Sequence, residues 1–427
     1  MEIIENRPLG EKIYKHVLNN GLTIYIMPKP GYNKQFAIYA TNYGSNDVRF
    51  MREGDEKPIE VPLGIAHFLE HKLFEEETGS IFEKFGAFGA QANAFTNFTM
   101  TAYLFASAGN FYECLRLLLD FVNRPYFTDE NVEKEKGIIA QEIRMYDDNP
   151  EWRVYFNLLR ALYKNYPVKY DIAGTVESIM SITKEQLYLC YNTFYAPNNM
   201  AVFVTGDIDE KKVLETVDES LASKRESGCA IKRLYPEEPM EIVTPIVRQQ
   251  LEVALPVFYI GFKDTKVGMS GYKLMRKNIT TAILLDMLIG KSSDTYQELY
   301  EEGLINASFG NEYMSEYDYA ASLIGGESPR PLEVRDRILE AAENYKKAGL
   351  NEGDFLRIKR KMLGNFIMNL NRIDGIATAY VSESFKDINF LDYPKVIEDV
   401  KLEEIEERLR EHLDEKYCAI SIVEPKK

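Results

Sequence analysis

The feature that most limits what this chain can fold into is an order of segments that occurs twice. "KQFAIYATNYG" (34–44) reads as a strand. Leu63 to Phe74 reads as a helix, "GSIFEKFGAFG" as a short aromatic helix, and "QANAFTNFTMTAYLFA" (91–106) as a strand. In the second half "LEVALPVFYIGFKD", "NITTAILLDMLIG", "SSDTYQELYEEGL" and "EYDYAASLIGG" run in the same order: strand, long apolar helix, short helix with aromatics, strand. With 427 residues the chain is too long for one ordinary core, and the echo predicts two units of about 200 residues each. Between them, "KRESGCAIKRLYPEEPMEIVTP" is polar and proline-bearing, and it reads as a linker. The expected division is therefore residues 1–221, a linker over 222–245, and residues 246–427.

Composition narrows the class. Hydrophobic residues make up 45% and aromatics 12%, enough for large cores and too much for disorder. The formal net charge of −16 argues against nucleic acid and anionic membranes as partners. The four cysteines, Cys114, Cys190, Cys229 and Cys418, are far apart and form no CxxC pair, which predicts reduced thiols in a cytoplasmic protein. The N-terminal segment has no apolar run of a secretory signal. No stretch of about 18 apolar residues offers a membrane span.

Chemistry concentrates in "AHFLEHKLFEE" (66–76). His67 and His71 stand four apart on one helix, so both side chains lie on one face and can reach one ion. Glu70 is three residues from His67 on nearly the same face, placed to take a proton from water at that ion and pass it to a leaving amine. The spacing H-x-x-E-H is the inverzincin signature. A catalytic zinc needs a third protein ligand. His16 and His412 stand in no motif and read as surface residues, so a carboxylate is expected. The helix over 131–146 offers Glu135 and Glu142, seven apart on one face and interrupted by apolar Ile138 and Ile139.

This set resembles the pitrilysin/insulysin family of zinc metallopeptidases, in the subgroup of the mitochondrial processing peptidase and its bacterial relatives. The family joins HxxEH to an E-x6-E pair about 70–80 residues later; here Glu142 follows His71 by 71 residues. Further matching stretches are "NAFTNFTMTAYLF", "GTVESIMSIT" and "FYAPNNMAVFVTGDID". The resemblance implies one Zn2+ per chain held by His67, His71 and Glu142, with Glu70 as general base and Glu135 orienting a ligand histidine. It also implies an edge strand, Asn93, Ala94, Phe95 and Thr96, that takes the substrate as an added β-strand. The implied fold is α+β: two similar halves, each a mostly antiparallel sheet covered on one face by helices, forming a clamshell. The second half is expected to be a degenerate repeat without zinc ligands.

One segment departs from the family pattern. Active single-chain relatives carry an Arg and a Tyr in a stretch like L-R-E-x-x-G-L-A-Y, which clamp the substrate and its oxyanion. Here "ELYEEGLINASFG" places Tyr300 at the Arg position and Asn306 at or near the Tyr position. Either a related second chain supplies the missing pair in a heterodimer, with a homodimer as the variant of that idea, or Tyr300 or Asn306 substitutes. The expected function is zinc-dependent hydrolysis of unfolded or small peptides, or of a peptide precursor, in a closed chamber. The alternative is a non-catalytic peptide-binding or structural core subunit of the same fold.

Overall fold

A computed structural model describes residues 2–77 and 79–426. The chain forms two compact units. The first holds Met1–Ile143, Asp171–Tyr235 and Met368–Phe385; the second holds Arg144–Tyr170, Pro236–Ile367 and Lys386–Lys427.

The sheet of the first unit has seven strands: β1 (Glu2–Asn6), β2 (Glu11–Val17), β3 (Thr23–Pro28), β4 (Gln35–Thr41), β5 (Gln91–Thr96), β6 (Thr101–Ser107) and β7 (Met200–Gly206). Their order is β1-β2-β3-β7-β4-β6-β5. Only the β3–β7 pair is parallel. The central strand β7, "MAVFVTG", is buried at every position, as an apolar run without alternation requires. Two helices of this unit carry the chemistry below: α1 (Ile65–Leu73), and α2 (Asp129–Asp147), whose last turn passes into the second unit.

The second unit contains α3 (Pro150–Leu162), β8 (Ile246–Leu251), β9 (Val257–Lys263), α4 (Gly271–Ile289), β10 (Gly310–Ser315) and β11 (Ala320–Glu327). After α5 (Ile373–Ser384), which belongs to the first unit, it adds α6 (Leu402–His412) and β12 (Cys418–Pro425). The sheet order is β8-β12-β9-β11-β10, and again one pair, β8–β12, is parallel. Strand for strand this repeats β3-β7-β4-β6-β5, with α4 between β9 and β10 where α1 lies between β4 and β5. The repeat read from segment order is therefore a repeat of topology. Phe258, Ile260, Phe262, Ile420 and Ile422 present one sheet face to the apolar side of α4, including Ile283, Leu284 and Leu288.

The expected cut at 222–245 does not describe the units. Helix α3 comes from the first half of the sequence but lies on the second sheet, where Val154 packs with Val257 and Val423. Gly261 makes this approach possible, since a Cβ there would stand 2.7 Å from Leu162 Cδ1. Conversely, α5 comes from the second half and lies on the first sheet. Its Tyr380 sits between Tyr25 (centroids 4.9 Å apart) and Phe203 (5.1 Å). Each sheet thus has a helix layer on one face and one long-range helix on the other. The supposed linker is not featureless either: Ile231–Arg233 pairs as a strand with Arg49–Arg52.

Two other expectations change. Residues 91–106 are a hairpin, not one strand. Asn97 Oδ1 accepts from the backbone N–H of Thr99 (2.9 Å) and Met100 (2.7 Å), an Asx turn without glycine or proline to announce it. His412 is not on the surface. It is 1% exposed, with Nε2 2.6 Å from Ser322 Oγ. His16 is part-buried against Glu210 (3.0 Å). No helix among the described residues is long and apolar enough to cross a membrane.

Candidate metal centre

Helix α1 is aimed by the residue that caps its start. Gly64, with φ of 84°, caps it in the left-handed region, and a Cβ there would lie 2.3 Å from the carbonyl oxygen of Ala173. A Cβ at Gly174 (φ 78°) would likewise lie 2.6 Å from the Leu63 carbonyl oxygen, and Ser178 Oγ donates to that carbonyl (2.9 Å). "GTVES" is thus a clamp on the start of the helix, which glycine alone permits at both positions. From there the 3.6-residue period sets His67, Glu70 and His71 on one side, while Ile65, Phe68, Leu69 and Leu73 are buried.

The two imidazole rings lie with centroids 4.5 Å apart. Glu142, on α2, reaches both: Oε1 is 3.6 Å from His67 Nε2, and Oε2 is 3.5 Å from His71 Nε2. The ligand atoms of these three residues lie within 4.8 Å of one another, and theirs is the one such group among the described residues. Zinc bonds near 2.0–2.1 Å in a tetrahedron separate neighbouring ligand atoms by roughly 3.3 Å. Two nitrogens and a carboxylate at this spacing fit that ion with small adjustments. His67 Nδ1 is buried with no hydrogen-bond partner, so the atom of that ring turned toward Glu142 is Nε2. Burial first, then the neighbouring His71, pushes His67 down to about 3, leaving a neutral ring with a lone pair to give.

Around this group the other acids have distinct attachments. Glu70 Oε2 accepts from Thr96 Oγ1 at 2.7 Å. Burial pushes the Glu70 carboxyl above its ordinary range. The Thr96 hydrogen bond and the His71 charge oppose this, and the Glu142 charge adds to it. Glu135 Oε1 meets His71 Nδ1 at 3.1 Å, leaving Nε2 of that ring for an ion. Burial raises Glu135, but the bond and charge of His71 and the Lys72 ammonium outweigh it and hold the acid below its ordinary value. For His71 burial again opposes the charged form, and Glu135, Glu142 and Glu70 together outweigh it, so the ring is raised.

Strand β5 is the sheet edge, paired with β6 alone. Of its four residues singled out from the sequence, Thr96 spends its hydroxyl on Glu70. Asn93 Oδ1 accepts from the N–H of Ala94 (2.9 Å). Two features escaped the sequence: the role of Thr96, and Lys72. The lysine falls on the buried stripe of α1, four residues after Phe68 and three after Leu69, and it is 0% exposed. A lysine at a core position of the helix was the available signal. In the second unit Tyr300 is half exposed and stacks on Tyr296 (6.0 Å, 10°). Asn306 donates to Glu327 Oε2 (2.7 Å) and accepts from Ser308.

Among the described residues, the repeat position in the second unit holds no such ligand set. Asp264, just after β9, receives Tyr313 OH (2.5 Å), lies 3.2 Å from Lys277 Nζ of α4 and pairs with Arg408 of α6. Lys277 also stands over the Tyr313 ring. Where α1 meets β5 through Glu70 and Thr96, α4 meets β10 through a lysine and a tyrosine.

Residues 60–176 match the family model described as "Insulinase (Peptidase family M16)", and residues 181–362 match "Peptidase M16 inactive domain". Over 430 residues, 99% of both chains, the sequence is 40% identical to the "Uncharacterized zinc protease YmfH" of Bacillus subtilis (strain 168). The chain belongs to peptidase family M16. The structure of a putative M16-like peptidase from Alicyclobacillus acidocaldarius is similar, with a TM-score of 0.95 at 38% identity, covering 99% of this chain and 100% of that one. The periplasmic protease PqqL from Escherichia coli shares the fold at 16% identity, with a TM-score of 0.75 over 97% of this chain and 48% of its own. The M16 match divides as the chemistry does: every candidate ligand precedes residue 176, and the stretch matching the inactive domain lacks them.

Proposed function

We propose that this M16 chain is the zinc-bearing subunit of a peptidase that hydrolyses unfolded or small peptides. One observation carries the reading. His67 Nε2, His71 Nε2 and a Glu142 carboxylate converge at a spacing zinc can bridge, and a part-buried Glu70 stands close enough to feel the charges of His71 and Glu142. Zinc, when bound, would polarise a scissile carbonyl and make water acidic enough to attack it.

The chain's own residues do the rest. Glu70 takes the proton of the attacking water and returns it to the leaving amine. Burial raises its carboxyl above the ordinary range, the direction that helps it hold the proton between the two transfers. Thr96 holds one Glu70 oxygen, and the proton transfers are assigned to the other. Glu135 holds His71 Nδ1 and so its orientation. The open edge of β5 supports capture of an extended peptide by strand addition, with the incoming strand displacing the Asn93 side chain from Ala94 N–H.

A related second chain completes the site in this reading, by supplying the Arg and Tyr that positions 300 and 306 lack; a second copy is the variant. The engagement of Asn306 with Glu327 supports this, because that amide is already committed. The setting proposed is the cytoplasm. The test is Glu70→Gln in the completed enzyme. Zinc content stays at the wild-type level, and cleavage of a fluorogenic peptide falls by at least the 100-fold that general base catalysis contributes, about 10²–10⁴. Cleavage that survives shows that Glu70 is not the base.

A further inference from the structure

Lys72 follows His71 in α1 and has no exposure at all. A fully buried lysine persists only with carboxylate partners. It has two: Glu75, in the short hairpin after the helix, and Glu135 Oε2 at 3.5 Å. Glu135 is therefore gripped at both oxygens by consecutive residues of α1, Oε1 by His71 Nδ1 (3.1 Å) and Oε2 by Lys72. The acid stands among others. Glu70 and Glu142 share its side of α1, and like charges so close repel. Lys72 brings a positive charge to this group of acids.

We propose that Lys72 is a positioning residue of the metal centre: it pins Glu135, which in turn holds His71 with Nε2 aimed at the ion. The inference rests on the zinc reading above and adds to it a residue that touches no ligand atom. Outer partners of metal-bound histidines typically change metal affinity 10–100-fold. The sign separates this role from its rivals. A lysine acting only as a like charge near the cation would, on removal, tighten zinc. A lysine acting only as a tie to the Glu75 hairpin would leave zinc unchanged.

The experiment measures the zinc dissociation constant of the full chain by chelator competition, in wild type, Lys72→Met, Glu135→Gln and the double variant. Lys72→Met is expected to weaken zinc about tenfold. The double variant is expected to bind no more weakly than Glu135→Gln, because the lysine acts through that acid. Glu75→Gln is expected to stay within about twofold of wild type, since its partner hairpin lies off this path. Lys72→Gln is read the same way if Lys72→Met does not fold. Unchanged or tighter zinc in the lysine variants, or losses that add in the double variant, overturns the proposal, as does failure of both lysine variants to fold. A wild-type chain that takes up no zinc overturns the zinc reading and this inference together, whereas wild-type uptake with an indifferent Lys72→Met overturns the inference alone.

Discussion

His67 and His412 are both buried and both pushed down to about 3 by burial first of all, yet they do different work. His67 keeps a lone pair for an ion. His412 is 1% exposed, takes part in a hydrogen bond with Ser322 of β11, and has the positive Arg408 nearby. An unfolded histidine titrates near 6.5, so between about 6.5 and 3 the unfolded chain binds a proton that folded His412 refuses. Stability must then fall as pH drops below 6.5, by about 1.4 kcal/mol per pH unit for one such residue, with no contribution above it. His412→Gln keeps a polar partner for Ser322 and removes the titration. Between pH 7 and pH 5 the variant is expected to lose about 2 kcal/mol less stability than wild type in the same metal state. Urea unfolding at the two pH values reads this; parallel losses would show that His412 accepts its proton while folded.

At the level of elements, what the sequence revealed and what it hid divide by distance along the chain. Helix α1 was legible because His67, Glu70, His71 and the buried stripe all follow one 3.6-residue period. Helix α2 was legible for the same reason, with Glu135 and Glu142 two turns apart. The β5–β6 hairpin was not, because its turn is made by the Asn97 side chain in "TNFTM". β1, at the sheet edge, and β2 beside it are half-polar strands and carry little apolar signal. The placements of α3 and α5 were out of reach in principle. Each helix is amphipathic, but nothing local says which sheet its apolar side will meet. Those placements predict where stability resides. Tyr380→Ala empties an aromatic site between Tyr25 and Phe203 and is expected to destabilise the first unit by about 3–5 kcal/mol. Denaturant unfolding followed in the first unit checks this, and a loss under about 1 kcal/mol would mean that α5 contributes little to that sheet.

For the whole molecule, the chain is one M16 fold with its candidate metal centre in one unit. The same strand order built twice supports a zinc-type ligand set once and, in the other unit, a cluster in which Arg408 and Lys277 neutralise Asp264. That asymmetry, with Tyr300 and Asn306 where the family resemblance leads one to expect an Arg and a Tyr, leads to a prediction about assembly. The isolated chain is expected to bind zinc yet cleave unfolded peptides at least 100-fold more slowly than when mixed with a related M16 chain carrying the Arg and Tyr, oxyanion donors being worth about 10²–10³ each. Full turnover by the monomeric chain would remove the need for a partner.

The account depends most directly on the ion itself. Native mass spectrometry of the purified chain, reconstituted with zinc and freed of excess, counts bound metal without reference to substrate or partner. The expected result is one zinc per chain, lost in His67→Ala, His71→Ala and Glu142→Gln alike. A chain that retains no zinc, or one that keeps it in all three variants, would contradict the assignment of His67, His71 and Glu142 as the metal centre.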